Sequence, residues 1–328
     1  MKKWILMVLA LSIVYSCELK SKNASLSGQV FGTSYSIKYY SKNHSEFEKQ
    51  IDSLFYIINK SMSTYQVNSV ISKLNRNESN EVDEHFRKVF EASQKIYTET
   101  QGAFDPTIGA VVNAWSFGPE GRIVKLDSLK IDSLMLSVGL NKVLFNGSSI
   151  VKENPNTYLD FNAIAKGYAV DVVSEFLEDK NIDNYLVEIG GEIRSKGKNL
   201  EKESDWRVGV EMPHFDGSQS IIRAIALQDA AMATSGTYRK FEIDEHGNKY
   251  SHIIDTKTGY PSKTNLLSIS VIAKNCMIAD AYATAFKTMG IEKVKEFLKS
   301  HPELKVFLIY EDEQKELQTM SLNGFPEK

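Results

Sequence analysis

Chemistry in this chain is concentrated in a few short segments that are costly to keep for structure alone. Asp280 and Thr284 lie four residues apart in Ala279-Asp-Ala-Tyr-Ala-Thr-Ala285, so a helix there puts both on one face. A carboxylate and a hydroxyl are hard oxygen donors. They suit Mg²⁺ better than zinc, and Mg²⁺ takes only one or two protein carboxylates and fills its shell with phosphate and water oxygens. A helix-start Asp with a Thr bonded back to its own turn is the alternative. In Leu159-Asp-Phe-Asn-Ala-Ile-Ala-Lys-Gly167 a helix begins, which either Asp160 or Asn162 can cap. Lys166 then sits in its first turns. A cation gains nothing from the positive end of a helix dipole, so an anionic ligand accounts for it as well as plain solvation does. Small Ala163, Ala165 and Gly167 let a ligand approach the backbone.

Four further segments are polar or rich in glycine. Thr100-Gln-Gly-Ala-Phe-Asp-Pro-Thr-Ile-Gly109 is a loop punctuated by Gly102 and Pro106, where Asp105 also suits a plain turn. Glu188-Ile-Gly-Gly-Glu192 ends a strand, with two candidate acids around glycines that permit close approach. Ala233-Thr-Ser-Gly-Thr-Tyr-Arg239 is a polar, small-residue stretch after a strand. Tyr250-Ser-His-Ile-Ile-Asp-Thr-Lys-Thr-Gly-Tyr-Pro261 carries His252, which can act near neutral pH or serve structure alone.

The elements that must position these residues mix two periods. Phe47, Ile51, Leu54, Phe55, Ile58 and Met62 recur at helical spacing, as do Phe86, Val89, Phe90, Ile96 and Tyr97. Ile164 to Leu177 and Ala279 to Met289 read as two more helices. Strand-like runs are Tyr185–Ile189, Trp206–Glu211, Ile221–Leu227, Leu267–Ala273 and Val306–Tyr310. These strands follow one another without helices between them. That predicts an α+β fold with substantial antiparallel sheet and packed helices rather than a doubly wound sheet.

The N-terminus has the form of an export signal. Lys2 and Lys3 precede an apolar run from Trp4 to Val14, too short to span a bilayer, which takes about 20 residues. Val-Tyr-Ser-Cys17 resembles a bacterial lipoprotein processing site. Acyl chains on Cys17 contribute about 0.8 kcal/mol per buried CH₂, so two or more anchor stably. Residues 1–16 are thus expected to be a signal peptide, 17–26 a polar flexible tether and 27–328 the catalytic body, exported and held at a bacterial membrane facing the periplasm. With Cys17 lipidated, Cys276 has no disulfide partner and reads as a buried core thiol. Loss of Lys2 and Lys3 takes the formal charge from −3 to −5. No basic stripe exists to neutralise phosphates, which argues against a nucleic-acid partner. A hydrophobic content of 42% supports a substantial core.

The six segments, taken in chain order, resemble the FAD:protein FMN transferase (ApbE) family. The likeness runs from about Gly28 to Gly290 and takes in Phe31-Gly-Thr-Ser-Tyr35, Met62-Ser-Thr-Tyr-Gln66 with Ser69, and Ala114-Trp-Ser-Phe-Gly118. The resemblance implies a compact body with FAD in a cleft, Mg²⁺-dependent cleavage of the FAD pyrophosphate, transfer of FMN to a Thr or Ser hydroxyl of an acceptor protein, and release of AMP. By motif position it implies Mg²⁺ on Asp280, Thr284 and the Ala163 carbonyl. It implies FAD contacts at Asp160 and Lys166, a nucleotide site lined by Ala103, Phe104 and Asp105, Tyr65 against the isoalloxazine, and further contacts at Phe31 and Ile253. Phe31 stands where the family often has Met. Family members commonly modify membrane redox subunits.

Breaking a phosphoanhydride requires neutralising charge on the leaving phosphate, which a metal and Lys166 would do together. His252 is the expected base for the acceptor hydroxyl, with Asp280 as the other catalytic residue. Two rivals are an FAD pyrophosphatase that gives FMN and AMP, and a non-enzymatic flavin-binding lipoprotein. The family's hydrolytic variant carries Asn where this chain has Tyr65, and the intact Asp280, Thr284 and Lys166 argue against mere storage.

Overall fold

The computed structural model describes residues 22–42, 46–121, 123, 126–238, 241–243 and 249–327; Cys17 and Arg239 lie outside them. Strands β1 (Lys22–Val30) and β2 (Thr33–Ser41) open the chain. Helices α1 (Glu48–Met62), α2 (Val70–Asn75), α3 (Glu84–Glu99), α4 (Gly109–Ala114) and α5 (Ser128–Met135) follow. A short pair, β3 (Val143–Phe145) and β4 (Ile150–Lys152), precedes α6 (Ala165–Asp179). Among the described residues a run of strands follows without an intervening helix: β5 (Tyr185–Ile189), β6 (Glu192–Lys196), β7 (Lys198–Asn199), β8 (Ser204–Glu211), β9 (Ile221–Leu227), β10 (Ala231–Gly236), β11 (Phe241–Ile243) and β12 (Lys249–Ser251). The chain closes with β13 (Leu266–Ala273), α7 (Cys276–Met289), α8 (Ile291–Leu298), β14 (Lys305–Glu311) and β15 (Leu317–Leu322).

The main sheet has the order β1-β2-β5-β6-β10-β13-β14-β15, and its pairings are antiparallel. The α+β expectation therefore holds. Side chains alternate across this sheet. Ala231, Ala233, Ile269, Val271, Val306 and Leu308 face a large core shared with the helices. Met232, Ile272, Phe307 and Ile309 face a second core built with Val208, Val210, Ile225 and Leu227 of the β8–β9 hairpin. The central strands are buried on both sides, which is why β14 reads as the near-continuous run Val-Phe-Leu-Ile-Tyr.

Two sequence expectations need correction. The polar stretch from Ala233 does not follow a strand. Through Gly236 it belongs to β10, in the interior of the main sheet. Its small side chains are what α7 needs in order to lie against it. Nor does Asp160 or Asn162 cap the following helix. Asp160 Oδ1 accepts the Asn162 N–H at 2.7 Å, forming a local turn, and α6 starts behind Ile164 with no side-chain cap.

Helices α6 and α7 cross closely at Gly167. A Cβ there would lie 2.4 Å from the Cys276 carbonyl oxygen and 2.8 Å from the Asp280 Cβ. A second clamp lies one turn along. The buried Asp171 carboxylate accepts the Cys276 and Met277 N–H groups at 2.9 and 2.8 Å, satisfying donors at the start of α7. Arg194 of β6 pairs with the same carboxylate at 3.0 Å. Cys276 itself is free and buried, and burial pushes its thiol well up, which fits the expected core role. Lys287, fully buried near the end of α7, donates to Thr264 Oγ1 at 2.8 Å, and burial lowers its pKa to about 8.

Two stability predictions follow from this packing. Gly167→Ala should destabilise the protein by about 1–3 kcal/mol through overpacking, read as a lower denaturant midpoint. Lys287 is depressed from 10.5 to about 8, so the folded state should gain stability as pH rises between those values and carry the full cost below about 8. Lys287→Met should flatten that rise and stabilise the chain at pH 7 by about 3 kcal/mol in denaturant titrations.

Candidate functional site

One face of α7 carries Asp280, Thr284 and Thr288 at successive four-residue steps. The other sequence-predicted segments gather along it. At its N-terminal end stands Lys166, the second residue of α6. Its ammonium lies 2.8 Å from Glu192 Oε1 and 3.9 Å from Asp280 Oδ2. Asp280 Oδ2 also accepts the Gly167 N–H at 3.0 Å. That bond has a consequence for Ala163. In a continuing helix the Gly167 N–H would bond the Ala163 carbonyl, but it turns to Asp280 instead. Among the described residues no hydrogen bond reaches the Ala163 oxygen. The Ala163 carbonyl, from the turn that leads into α6, and the Asp280 carboxylate and half-buried Thr284 hydroxyl, from α7, are thus three oxygen donors.

The electrostatics follow from burial. Glu192 and Asp280 are 3% and 5% exposed, so both carboxylates lose solvation. Burial, relieved by Lys166 and reinforced by the Asp280 charge, pushes Glu192 up to about 7. Burial also raises Asp280, against the pull of Lys166 and the Gly167 N–H. Burial acts to lower Lys166, but its two carboxylates outweigh it and the ammonium is held firmly charged. Two carboxylates against one ammonium leave a negative imbalance that a divalent cation would offset, and the donors are hard oxygens. The residues present therefore fit Mg²⁺.

Thr288 Oγ1 donates to the Ala103 carbonyl at 3.2 Å, which brings the Thr100–Gly109 loop onto the same face of α7. Within that loop Phe104 is buried. Asp105 is buried too, and its carboxylate accepts the Thr107 N–H and hydroxyl at 2.9 and 2.6 Å and the Leu140 N–H at 3.3 Å. Its side chain braces the loop, and burial raises its pKa. The Asp160 N–H donates to the Pro106 carbonyl at 2.8 Å, so the Asp160 segment lies directly beside this loop. Tyr65 is near Asp160. Burial of its hydroxyl and the Asp160 charge raise the phenol, yet the residue stays 59% exposed, a ring available to a flat ligand.

The 250–261 segment closes one side. Thr256 Oγ1 donates to the Gly102 carbonyl, and Trp115 Nε1 donates to the Gly259 carbonyl at 2.8 Å. Ile253 is buried, and the half-buried His252 ring meets the edge of Phe117 at 6.1 Å between centroids. Phe31 lies in the β1–β2 turn with φ 51°, edge-on to Phe55 at 5.6 Å. Thr33, two residues on, touches Gly190 of the β5–β6 turn, the turn that leads into Glu192.

The sequence offers Glu188 and Glu192 alike as candidate acids. The β5–β6 hairpin separates them. Its two-residue loop is Gly190-Gly191, with φ 64° and 98°, and both positive angles are what such a turn requires. Glu192 is paired with Ile189 and shares its face, toward the helices; Glu188 is paired with Ile193, on the opposite face. Gly-Gly between two strands was the signal that would have found this. Glu188 Oε1 accepts the Gly191 N–H at 2.8 Å and supports the turn.

Comparison with known proteins gives a consistent picture. Residues 31–308 match the model of the ApbE family. A relative from Vibrio cholerae serotype O1 is 37% identical over 302 residues, covering 89% of both chains. A relative from Haemophilus influenzae is 36% identical over 326 residues, covering 94% of this chain and 93% of its own. Both carry the name FAD:protein FMN transferase. The solved flavin transferase ApbE of Vibrio cholerae superposes with a TM-score of 0.83 at 34% identity, over 92% of this chain and 97% of that one. The apo flavinyl transferase ApbE of Pseudomonas stutzeri gives 0.82 at 27% identity, over 93% and 96%.

Proposed function

The chain belongs to the ApbE family and is an FAD:protein FMN transferase, and we propose that it works with Mg²⁺, modifies a Thr or Ser hydroxyl of its acceptor and releases AMP. The observation that carries this reading is the Lys166 ammonium set between two buried carboxylates, beside an Ala163 carbonyl that no donor among the described residues reaches. Mg²⁺ held by Asp280, Thr284 and the Ala163 carbonyl would supply charge neutralisation for the pyrophosphate as it breaks.

The chain's own residues would divide the remaining work. Lys166 would bind a phosphate oxygen and take up charge on the AMP leaving group. The N-terminal N–H groups of α6 favour the same anion. Tyr65 and Phe31 would hold the isoalloxazine. The backbone of the Ala103–Asp105 loop, together with Asp160 and Ile253, would orient the nucleotide, since the Phe104 and Asp105 side chains are already committed inward. His252 would accept the proton of the acceptor hydroxyl as that oxygen forms its bond to the FMN phosphorus.

We also propose that the protein is exported and lipid-anchored through Cys17, within reach of membrane redox proteins that carry the target hydroxyl. Among the described residues no helix is long and apolar enough to cross a membrane.

Incubation with FAD, Mg²⁺ and an acceptor should add one FMN to the acceptor's intact mass. Rapid AMP release without any acceptor would instead identify a pyrophosphatase. Asp280→Ala should keep its circular dichroism spectrum and lose transfer by about two orders of magnitude or more, the effect of losing several kcal/mol of charge stabilisation. Cys17→Ala should move the protein from the membrane to the soluble fraction; retention of membrane binding would overturn the anchor.

A further inference from the structure

Glu192 is the one member of the ammonium–carboxylate cluster without an assigned task. It is the first residue of β6 and is paired with Ile189 across the hairpin, so its backbone is fixed by the main sheet. Its Oε1 holds the Lys166 ammonium at 2.8 Å; its Oε2 is buried with no hydrogen-bond partner among the described residues. The turn leaves little room for adjustment. A Cβ on Gly190 would lie 2.8 Å from Thr33 Cγ2 and 3.4 Å from Glu192 Oε2. Lys166 is therefore held by a single oxygen on a rigid support.

The two distances from Lys166 decide what that support does. The ammonium is in full contact with Glu192 but stands off Asp280 at 3.9 Å. Lysine is a flexible chain ending in a compact charge, and in a buried site it closes on whichever carboxylate is in reach. If Glu192 released it, the nearest remaining carboxylate would be Asp280. Closing that gap would form a direct ion pair with the group that the metal needs. The oxygen in reach is Oδ2, which already accepts the Gly167 N–H, so such a pair would put a second donor on it and offset the charge of the carboxylate.

We propose that Glu192 is a positioning residue that keeps Lys166 off Asp280, so that the Asp280 carboxylate stays open to a divalent cation and Lys166 stays available to a phosphate. The inference rests on the metal reading given above. It differs from a purely electrostatic role for Glu192, because it depends on reach as well as charge. Glu192→Asp keeps the charge and shortens the side chain by one methylene, so it should release Lys166 as Glu192→Gln does.

The test is titration of Mn²⁺ alone into the full chain, followed by the electron paramagnetic resonance signal of free Mn²⁺. Absence of Mn²⁺ binding to the unaltered protein would defeat the metal reading itself. Given binding, Glu192→Asp and Glu192→Gln should each weaken Mn²⁺ affinity by about tenfold, the scale of changes behind a metal ligand. Adding Lys166→Met to Glu192→Asp should restore it, because the competing ammonium is gone. Unchanged affinity in Glu192→Asp, or a double variant as weak as Glu192→Asp, would overturn the proposal. If the Glu192 variants do not fold, Lys166→Met alone decides: Mn²⁺ should bind at least as tightly as to the unaltered protein, and weaker binding would overturn the proposal.

Discussion

Helix α6 approaches α7 closely enough for the Gly167 Cα to sit against the Cys276 carbonyl, and much of the site depends on that approach. A side chain at position 167 would force the helices apart. The same approach lets the Gly167 N–H leave the helical ladder and bond Asp280. It thereby frees the Ala163 carbonyl and brings Lys166 beside Asp280. One steric condition thus sets the proposed metal donors and the cation proposed to meet a phosphate together. Asp171 reinforces it by clamping the start of α7 to α6, with Arg194 tying both to β6.

Burial of two carboxylates beside a half-buried ammonium is expensive unless the charges satisfy one another. Replacing them with apolar side chains would suit stability, so their presence marks function. The balance is also incomplete, with two carboxylates to one ammonium and a Glu192 oxygen that has no donor among the described residues. That imbalance suits the divalent cation proposed for the site, and Lys166 suits the anion that would arrive with it. Lys287, in the same helix, is a contrasting case. It has a hydroxyl partner and no carboxylate, and burial draws its pKa down.

Much of the fold was legible from periodicity. The four long amphipathic segments are helices, and the run of strands from Tyr185 to Ala273 does produce antiparallel sheet. Boundaries shifted by up to three residues, as where α7 begins at Cys276 rather than Ala279, because Asn275 and Asp171 satisfy donors ahead of the apolar pattern. The strand containing Ala233-Thr-Ser-Gly236 was missed for a physical reason. Its small residues answer the packing of α7, not an intrinsic strand preference. The Asp160 turn was mistaken for a cap because one local hydrogen bond serves either use.

Residue types and their order determined by themselves which chemistry is available. Hard oxygens stand four apart on a helix, a lysine sits at a helix start, and the motif series is that of the family. Sequence spacing also put Asp280 and Thr284 on one face. Only the tertiary structure chose Glu192 over Glu188, because a two-glycine hairpin sends residues four apart to opposite faces of a sheet. Only it turned Asp105 inward as a brace, and only it set Lys166 between two carboxylates at unequal distances. The last of these rests on contacts between segments more than twenty residues apart, about which local propensity carries no information.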